Sequence, residues 1–402
     1  MSNEPHLFSI RWSHLTATVA VAVSLVACNT STPNAPTSAA TQSLPTAVLS
    51  TVTPAPTSAP VQAPAGLTVA FVADGTLWLW RTHEDPVPLT TAEAFPAPQL
   101  SSDGSWIAFA RAGNAVVIGS DGANEQVVQV AGTPGQISWR PGHAEAYLTT
   151  PAEGETVLQR FDPATGALTE IGRFGADAAF TFAPDGEHLA VVTADRLQLA
   201  DAEGVVVGDA LDYPAVAVSD TQQWRPTPVW VADAVVRLFT VTETGSAAET
   251  IVWEASLDAA PSEVTRQVGA AFGGLLSPDG RRLLFVQADS TLGLWDLETG
   301  EARQVLDAPG SAALAWTPDS AAYVYTGIDP LQPFVIGLEP DSVPHPVGGG
   351  VLSLRWLTAD WVLFTTVAGA GEQLRLAEVG ASDGLLGISA AGAIGYDARV
   401  AP

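Results

Sequence analysis

Apolar and polar positions along residues 66–402 fall into short runs, each broken by a Gly, Pro or Asp turn, and the arrangement repeats. A large apolar residue closes one run, an Asp or Gly turn follows within three positions, and a second apolar run starts about six on. In one register the closing slot holds Leu100, Trp139, Phe182, Trp230, Leu276, Trp316 and Trp356, at intervals of 39, 43, 48, 46, 40 and 40 residues. Four strands of about five residues plus four turns come to roughly 40 residues. Each interval therefore predicts one four-stranded antiparallel unit, and a series of such units predicts an all-β propeller.

The turns carry their own mechanism. In Ala183-Pro184-Asp185-Gly186, Pro presets φ and Gly accepts the positive φ of a tight hairpin, between the runs 178–182 and 188–192. The unit recurs at Leu276 to Gly280, Trp316 to Ser320 and Leu100 to Gly104, with degenerate copies after Trp139, Trp230 and Trp356. Third and fourth strands follow, joined by turns that Asp opens and Gly closes, as in Asp296 to Gly300 and Asp162 to Gly166. Runs before the Pro-Asp turns, such as 311–315, are rich in Ala and Ser, which suits the crowded axis of a ring. Seven slots give seven hairpins. The segment 67–80 adds an eighth second-and-third-strand pair with no inner strand ahead of it, and 393–400 is strand-like and otherwise unemployed. Eight blades are expected, with the C-terminal strand completing the first; seven is the alternative.

Ser277-Pro278-Asp279-Gly280, Ala183-Pro184-Asp185-Gly186 and Thr317-Pro318-Asp319 resemble the PD40 repeats of TolB-type, WD40-like propellers, and Trp295-Asp296 is similar to the WD40 dipeptide. The resemblance covers about residues 66–402 and implies a propeller fold. It implies no single activity, because propellers host unrelated ones. The regular Gly-His element of WD40 blades is missing, so no WD40 interaction surface is carried over.

Residues 1–27 read as an export signal: Arg11 precedes the uncharged apolar run 15–27, which is shorter than the roughly 20 residues that span a bilayer. The run ends in Leu25-Val26-Ala27-Cys28, which resembles the lipobox of bacterial lipoproteins, and Cys28 is the only cysteine. That resemblance implies a diacylglycerol thioether at Cys28 and an extracytoplasmic, membrane-anchored protein. From 29 to 65 no residue is charged and Ser, Thr, Pro and Ala dominate, as in a tether that cannot bury enough apolar surface to fold. Its 37 residues span roughly 30 to 35 Å as a coil or about 110 Å as polyproline II.

The chain has a net charge of −27 and no Lys; after the signal, 15 Arg face 42 Asp plus Glu. Such a body repels phosphate backbones and anionic headgroups, so nucleic acid is excluded as an expected partner and any membrane contact falls to the lipid. With one Cys, intramolecular disulfides are excluded. No metal-protease, P-loop, dinucleotide or Cys-x-x-Cys motif occurs. Gly387 to Ala391 misses the nucleophile elbow by its last residue. His143 and His188 occupy neighbouring hairpins as turn residues, and the repeated Asp103, Asp185, Asp233, Asp279 and Asp319 sit where an Asx side chain caps its own turn. No catalytic residue, metal or cofactor is assigned.

Contact chemistry concentrates elsewhere. Tyr213 to Thr227 is the longest link between units and contains Trp224 and Arg225; second-to-third-strand loops on the same side of the ring contain Arg111 and Asp329. An aromatic beside an Arg is the usual anchor pair of an interface. The expected partner-binding residues are Tyr213, Trp224, Arg225, Arg111 and Asp329, on a monomeric, non-enzymatic module that binds a protein or peptide. The alternative is a propeller enzyme, or a carbohydrate or small-ligand receptor, with its site at the mouth of the central channel.

Overall fold

The computed structural model describes residues 63–219, 222–243, 248–269, 271, 273–286, 291–306, 312–327, 329–339, 342–379 and 386–401. The signal, Cys28 and most of the tether lie outside the described residues. Among those described there is no helix. Eight four-stranded antiparallel sheets form an eight-bladed propeller, with one extra two-stranded hairpin. Blades are numbered here from the N-terminus, and strands a to d from the axis outwards.

Blade 1 is built from both ends of the propeller. Its strands b, c and d are Leu67–Ala73, Thr76–Arg81 and Val87–Thr91, and its inner strand a is Gly395–Val400. Leu67 pairs with Val400 and Val72 with Gly395, so the C-terminal strand completes the first blade as the spare inner position demands. Seven-bladed closure is thereby set aside. Six of the seven slot residues end an inner strand; Trp230 lies two residues before the end of its own, Val229–Ala232.

Alternation explains why these strands are apolar on both faces. In Leu67–Ala73, the side chains of Leu67, Val69, Phe71 and Ala73 pack towards blade 8, while Ala70 and Val72 pack towards blade 2. Eight buried apolar clusters result, and each joins two consecutive blades; the blade 8–blade 1 cluster closes the circle. Strand b of each blade is buried on both faces and strand c is mostly buried or half-buried, so apolar packing holds the ring.

The slot tryptophans add a directional link. Trp139 Nε1 donates to the carbonyl of Gln99 at 2.8 Å, Trp230 Nε1 to Thr181 at 3.3 Å, and Trp316 Nε1 to Leu275 at 2.9 Å. Each acceptor stands one residue before the slot of the preceding blade, so a buried indole satisfies its polar edge and ties two inner strands together. Trp356 breaks the series: its Nε1 is buried with no acceptor among the described residues. The three acceptor strands keep unbroken register, whereas the strand in front of Trp356, Ala312–Trp316, shifts register between Ala313 and Ala315. Gln136 makes a similar tie with both ends of its amide, donating to the Phe180 carbonyl at 2.7 Å and accepting from the Phe180 N–H at 3.1 Å.

Ring closure has its own lock. Asp397, on the C-terminal strand, is fully buried; one carboxylate oxygen accepts the Leu100 backbone N–H of blade 2 at 2.7 Å, and the other pairs with the Arg355 guanidinium of blade 8. One side chain thus holds the closing strand to both neighbours. Arg355 is itself buried, and desolvation pulls its pKa down from the usual guanidinium value while Asp397 opposes the shift.

Candidate binding face

Because every blade is antiparallel, the a–b and c–d turns open on one side of the ring, the lower face, and the b–c loops and d–a linkers on the other, the upper face. The two faces are built differently.

On the lower face, near the axis, most turn polar groups satisfy one another, and the buried His188 Nδ1 is left without a hydrogen bond among the described residues. Asp103, Asp185, Asp279 and Asp319 accept the backbone N–H two residues on, at 2.8 to 3.0 Å, as Asx turn caps. At Asp103 burial pushes the carboxyl up, but hydrogen bonds from Ser101 and Ser105 outweigh it and hold the group below its usual range. Neighbouring turns also interlock. The Gly142 N–H donates to Ser102 Oγ at 3.1 Å and the Asp279 N–H to Ser320 Oγ at 3.0 Å. Arg140 donates to the Gly186 carbonyl at 2.8 Å and Arg237 to the Gly280 carbonyl at 2.9 Å, each clipping one blade to the Pro-Asp-Gly turn of the next. The two glycines are required twice over: φ is +75° and +69°, and a Cβ would stand 2.4 Å from Pro141 O or 2.3 Å from Val231 Cγ1. His143 Nδ1 meets the Pro141 carbonyl at 2.9 Å and His188 lies 3.6 Å from Asp185, so these histidines belong to separate turns. Among the described residues no three His, Cys, Asp or Glu side chains group to hold a metal.

The upper face is looser and more apolar. Phe95, Val218, Val268, Leu331 and Val367, 38 to 74 % exposed, all sit on b–c loops, d–a linkers or the strand ends beside them. Exposed large apolar side chains on the lower side are Val87, Val205, Val206 and Val343, on c–d turns or the strand ends beside them, out at the rim. Leu331 and Val367 belong to one connected stretch: the Val351 N–H donates to the Leu331 carbonyl at 2.9 Å, and the Val367 N–H to Gly350 at 2.8 Å. The b–c hairpins of blades 1 to 3 turn through two residues of positive φ, Asp74-Gly75, Ala112-Gly113 and Glu153-Gly154.

The long linker between blades 4 and 5 contains the extra hairpin, Val216–Ser219 with Gln222–Trp224. Trp224 is half-buried, its ring 5.5 Å from Phe239 of blade 5. Arg225 reaches back to donate to the carbonyl of Asp177 at the entry to blade 4. Surrounding protein lowers its pKa, with the Asp177 charge opposing the change. Tyr213 is buried in the blade 4–blade 5 cluster, and its hydroxyl donates to the Thr193 carbonyl at 2.9 Å; burial pushes the phenol well up. Tyr213 and Trp224 thus form the footing of the hairpin, while Ala217, Val218, Ser219 and Gln223 present its outer surface and Arg225, next to Trp224, is exposed as well. Arg111 stands apart in blade 2, paired with Glu125 and donating to Thr90 Oγ1 at 3.1 Å. Asp329 stands in blade 7, exposed, capping the Leu331 N–H at 2.9 Å. Sequence reasoning missed Leu331, Val367 and Val268; an isolated apolar residue in a loop carries no periodic signal.

The channel offers little chemistry. Among the residues of the eight inner strands, only Arg355, Asp397 and Arg399 are charged, and Asp397 and Arg355 are committed to ring closure.

No protein-family profile matches the chain, and no curated protein matches it in sequence. Solved structures do. A crystal structure of the eukaryotic initiation factor matches at 13% identity over 82% of this chain and 85% of that chain, with a TM-score of 0.54. The β-propeller domain of the Trilobed protease from Pyrococcus furiosus, described as having an open velcro topology, is 11% identical over 72% of this chain and 95% of its own, with a TM-score of 0.48. Chaetomium thermophilum Sqt1, bound to the N-terminus of the ribosomal protein L10, is 14% identical over 74% and 90%, with a TM-score of 0.47. At 13% identity the likeness to the first of these shows the fold alone.

Proposed function

We propose that this chain is a lipid-anchored extracytoplasmic propeller that binds a protein or peptide through its upper face. The supporting observation is the asymmetry of the ring: exposed apolar side chains border the upper loops and linkers, whereas the lower face around the axis is filled by turn caps and arginine clips. Apolar side chains rimmed by polar groups are the raw material of an interface. Cys28, at the end of the apolar run, supplies the anchor in this reading, and the uncharged tether gives the ring its stand-off.

A photo-crosslinking residue placed at Val268 or Leu331 is expected to capture the same partner in the envelope, while the same residue at Val343 captures none. Equal capture from both faces contradicts the assignment. Cys28→Ser is expected to move the protein from the membrane fraction to the soluble extracytoplasmic fraction and to abolish incorporation of labelled fatty acid. Unchanged membrane retention would remove the lipid from the proposal.

A further inference from the structure

Charge decides what kind of segment the apolar upper face can accept. Among the described residues the b–c loops there hold five exposed carboxylates, Asp74, Glu153, Asp195, Glu243 and Asp329, and the linkers add Glu93; Asp177, also exposed, lies beside the Arg225 guanidinium. None of the other six forms an ion pair with an Arg among the described residues. The arginines of the same face already face carboxylates: Arg111 pairs with Glu125, Arg173 with Glu155 and Glu170, Arg196 with Asp212 and Arg266 with Glu249 and Glu263, and Arg225 is set against Asp177. The uncompensated charge of this surface is therefore negative, and it is distributed over blades 1, 3, 4, 5 and 7, between the exposed apolar side chains.

An acidic partner would pay like-charge repulsion at every loop, on a body that already carries −27. A purely apolar partner would leave the carboxylates at the rim of a drying surface with nothing to bind. A segment that carries both cations and apolar anchors meets each group with its complement, and the long-range field of an acidic chain accelerates its arrival. Resting on the reading that the upper face is the docking surface, we propose that its occupant is a basic polypeptide segment, Arg- or Lys-rich with aliphatic or aromatic anchors. The cations lie over the b–c loop carboxylates, and the anchors lie against Leu331, Val367, Val268 and the outer surface of the hairpin.

The test uses the full propeller domain and three labelled 14-residue probes: one alternating Arg with Val and Leu, one with Glu for Arg, and one with Ser for the apolar residues. Fluorescence anisotropy is expected to give the Arg/apolar probe a Kd at least ten-fold below both others, and its affinity is expected to fall steeply between 0.05 and 0.5 M salt. Two variants separate a docking face from diffuse attraction to an acidic protein. Converting the five b–c loop carboxylates to amides is expected to weaken the probe at least ten-fold, whereas amides at Asp121, Asp233, Asp258, Asp360 and Glu339 of the lower face leave it within two-fold. Leu331→Ser with Val268→Ser is expected to remove the advantage over the Ser-containing probe. Equal losses from both amide sets, or equal binding of the Glu probe, overturn the proposal. If the Arg probe fails while crosslinks from Val268 still capture one protein, the docking face stands and its basic occupant is wrong. If both fail, the docking face falls with it.

Discussion

Deleting residues 395–402 is expected to abolish cooperative unfolding and leave a protein that aggregates at room temperature. The deletion removes Tyr396 and Ala398 from the blade 8–blade 1 cluster, strips six paired residues from Leu67–Ala73, and opens an edge strand to pairing with other chains. Burial of a large apolar side chain is worth about 1.5–3 kcal/mol and an intact buried ion pair about 3–5 kcal/mol against loss of one partner. Together these approach the 5–15 kcal/mol that separates most folded domains from their unfolded chains. Calorimetry and near-ultraviolet circular dichroism, which reports the buried tryptophans, measure the outcome. Trimming only Ala401 and Pro402 costs the bond from the Ala401 N–H to the Gly66 carbonyl, worth about 1 kcal/mol, and is expected to lower Tm by about 2 °C. A deletion protein with the full transition intact would show that the ring does not depend on its closing strand.

The second large effect concerns one carboxylate. Asp397→Ala leaves the Arg355 guanidinium buried without its counter-charge and the Leu100 N–H without its acceptor, for an expected loss of about 3–5 kcal/mol. Arg355→Met leaves a fully buried carboxylate beside apolar inner strands, and the expected loss is of the same order. The double variant removes both charges and is expected to be less destabilised than the sum by about 2 kcal/mol or more, since neither ion is stranded. Urea denaturation with unchanged m-values gives the three free energies. Additive losses would mean that the pair does not act as a unit.

The parts of this fold that the sequence announces are those with a local cause. Pro-Asp-Gly turns act through the φ preferences of two adjacent residues, and a slot such as Trp139 or Trp316 ends its strand wherever the blade is cut, so their spacing reports the ring directly. Closure by 395–400 is legible for a bookkeeping reason: a first blade with no inner strand and a last strand with no blade fit each other. What stays hidden depends on residues some forty or more positions apart. Arg140 and Arg237 look like surface arginines until their acceptors, Gly186 and Gly280, are brought beside them by the blade spacing. Arg355 and Asp397 interrupt otherwise apolar strands, which flags them as unusual, but only the ring places them in contact.

The linker residues show the same division. Tyr213, Trp224 and Arg225 stand out in sequence because the link is long and aromatic, and they do lie together. Their side chains face inwards or across the ring, however, against Thr193, Phe239 and Asp177. A hairpin needs a buried footing, and its two conspicuous aromatic side chains, Tyr213 and Trp224, supply it, while Arg225 stays exposed as it donates to the Asp177 carbonyl. Val218, the less conspicuous residue, is left facing solvent.

Amide hydrogen exchange of residues 395–400 tests ring closure most directly. In a closed ring these amides exchange only with global opening, as slowly as those of Leu67–Ala73 with which they pair. Exchange at the rate of an unstructured peptide, while the other seven inner strands stay protected, would contradict a propeller locked by its own C-terminus.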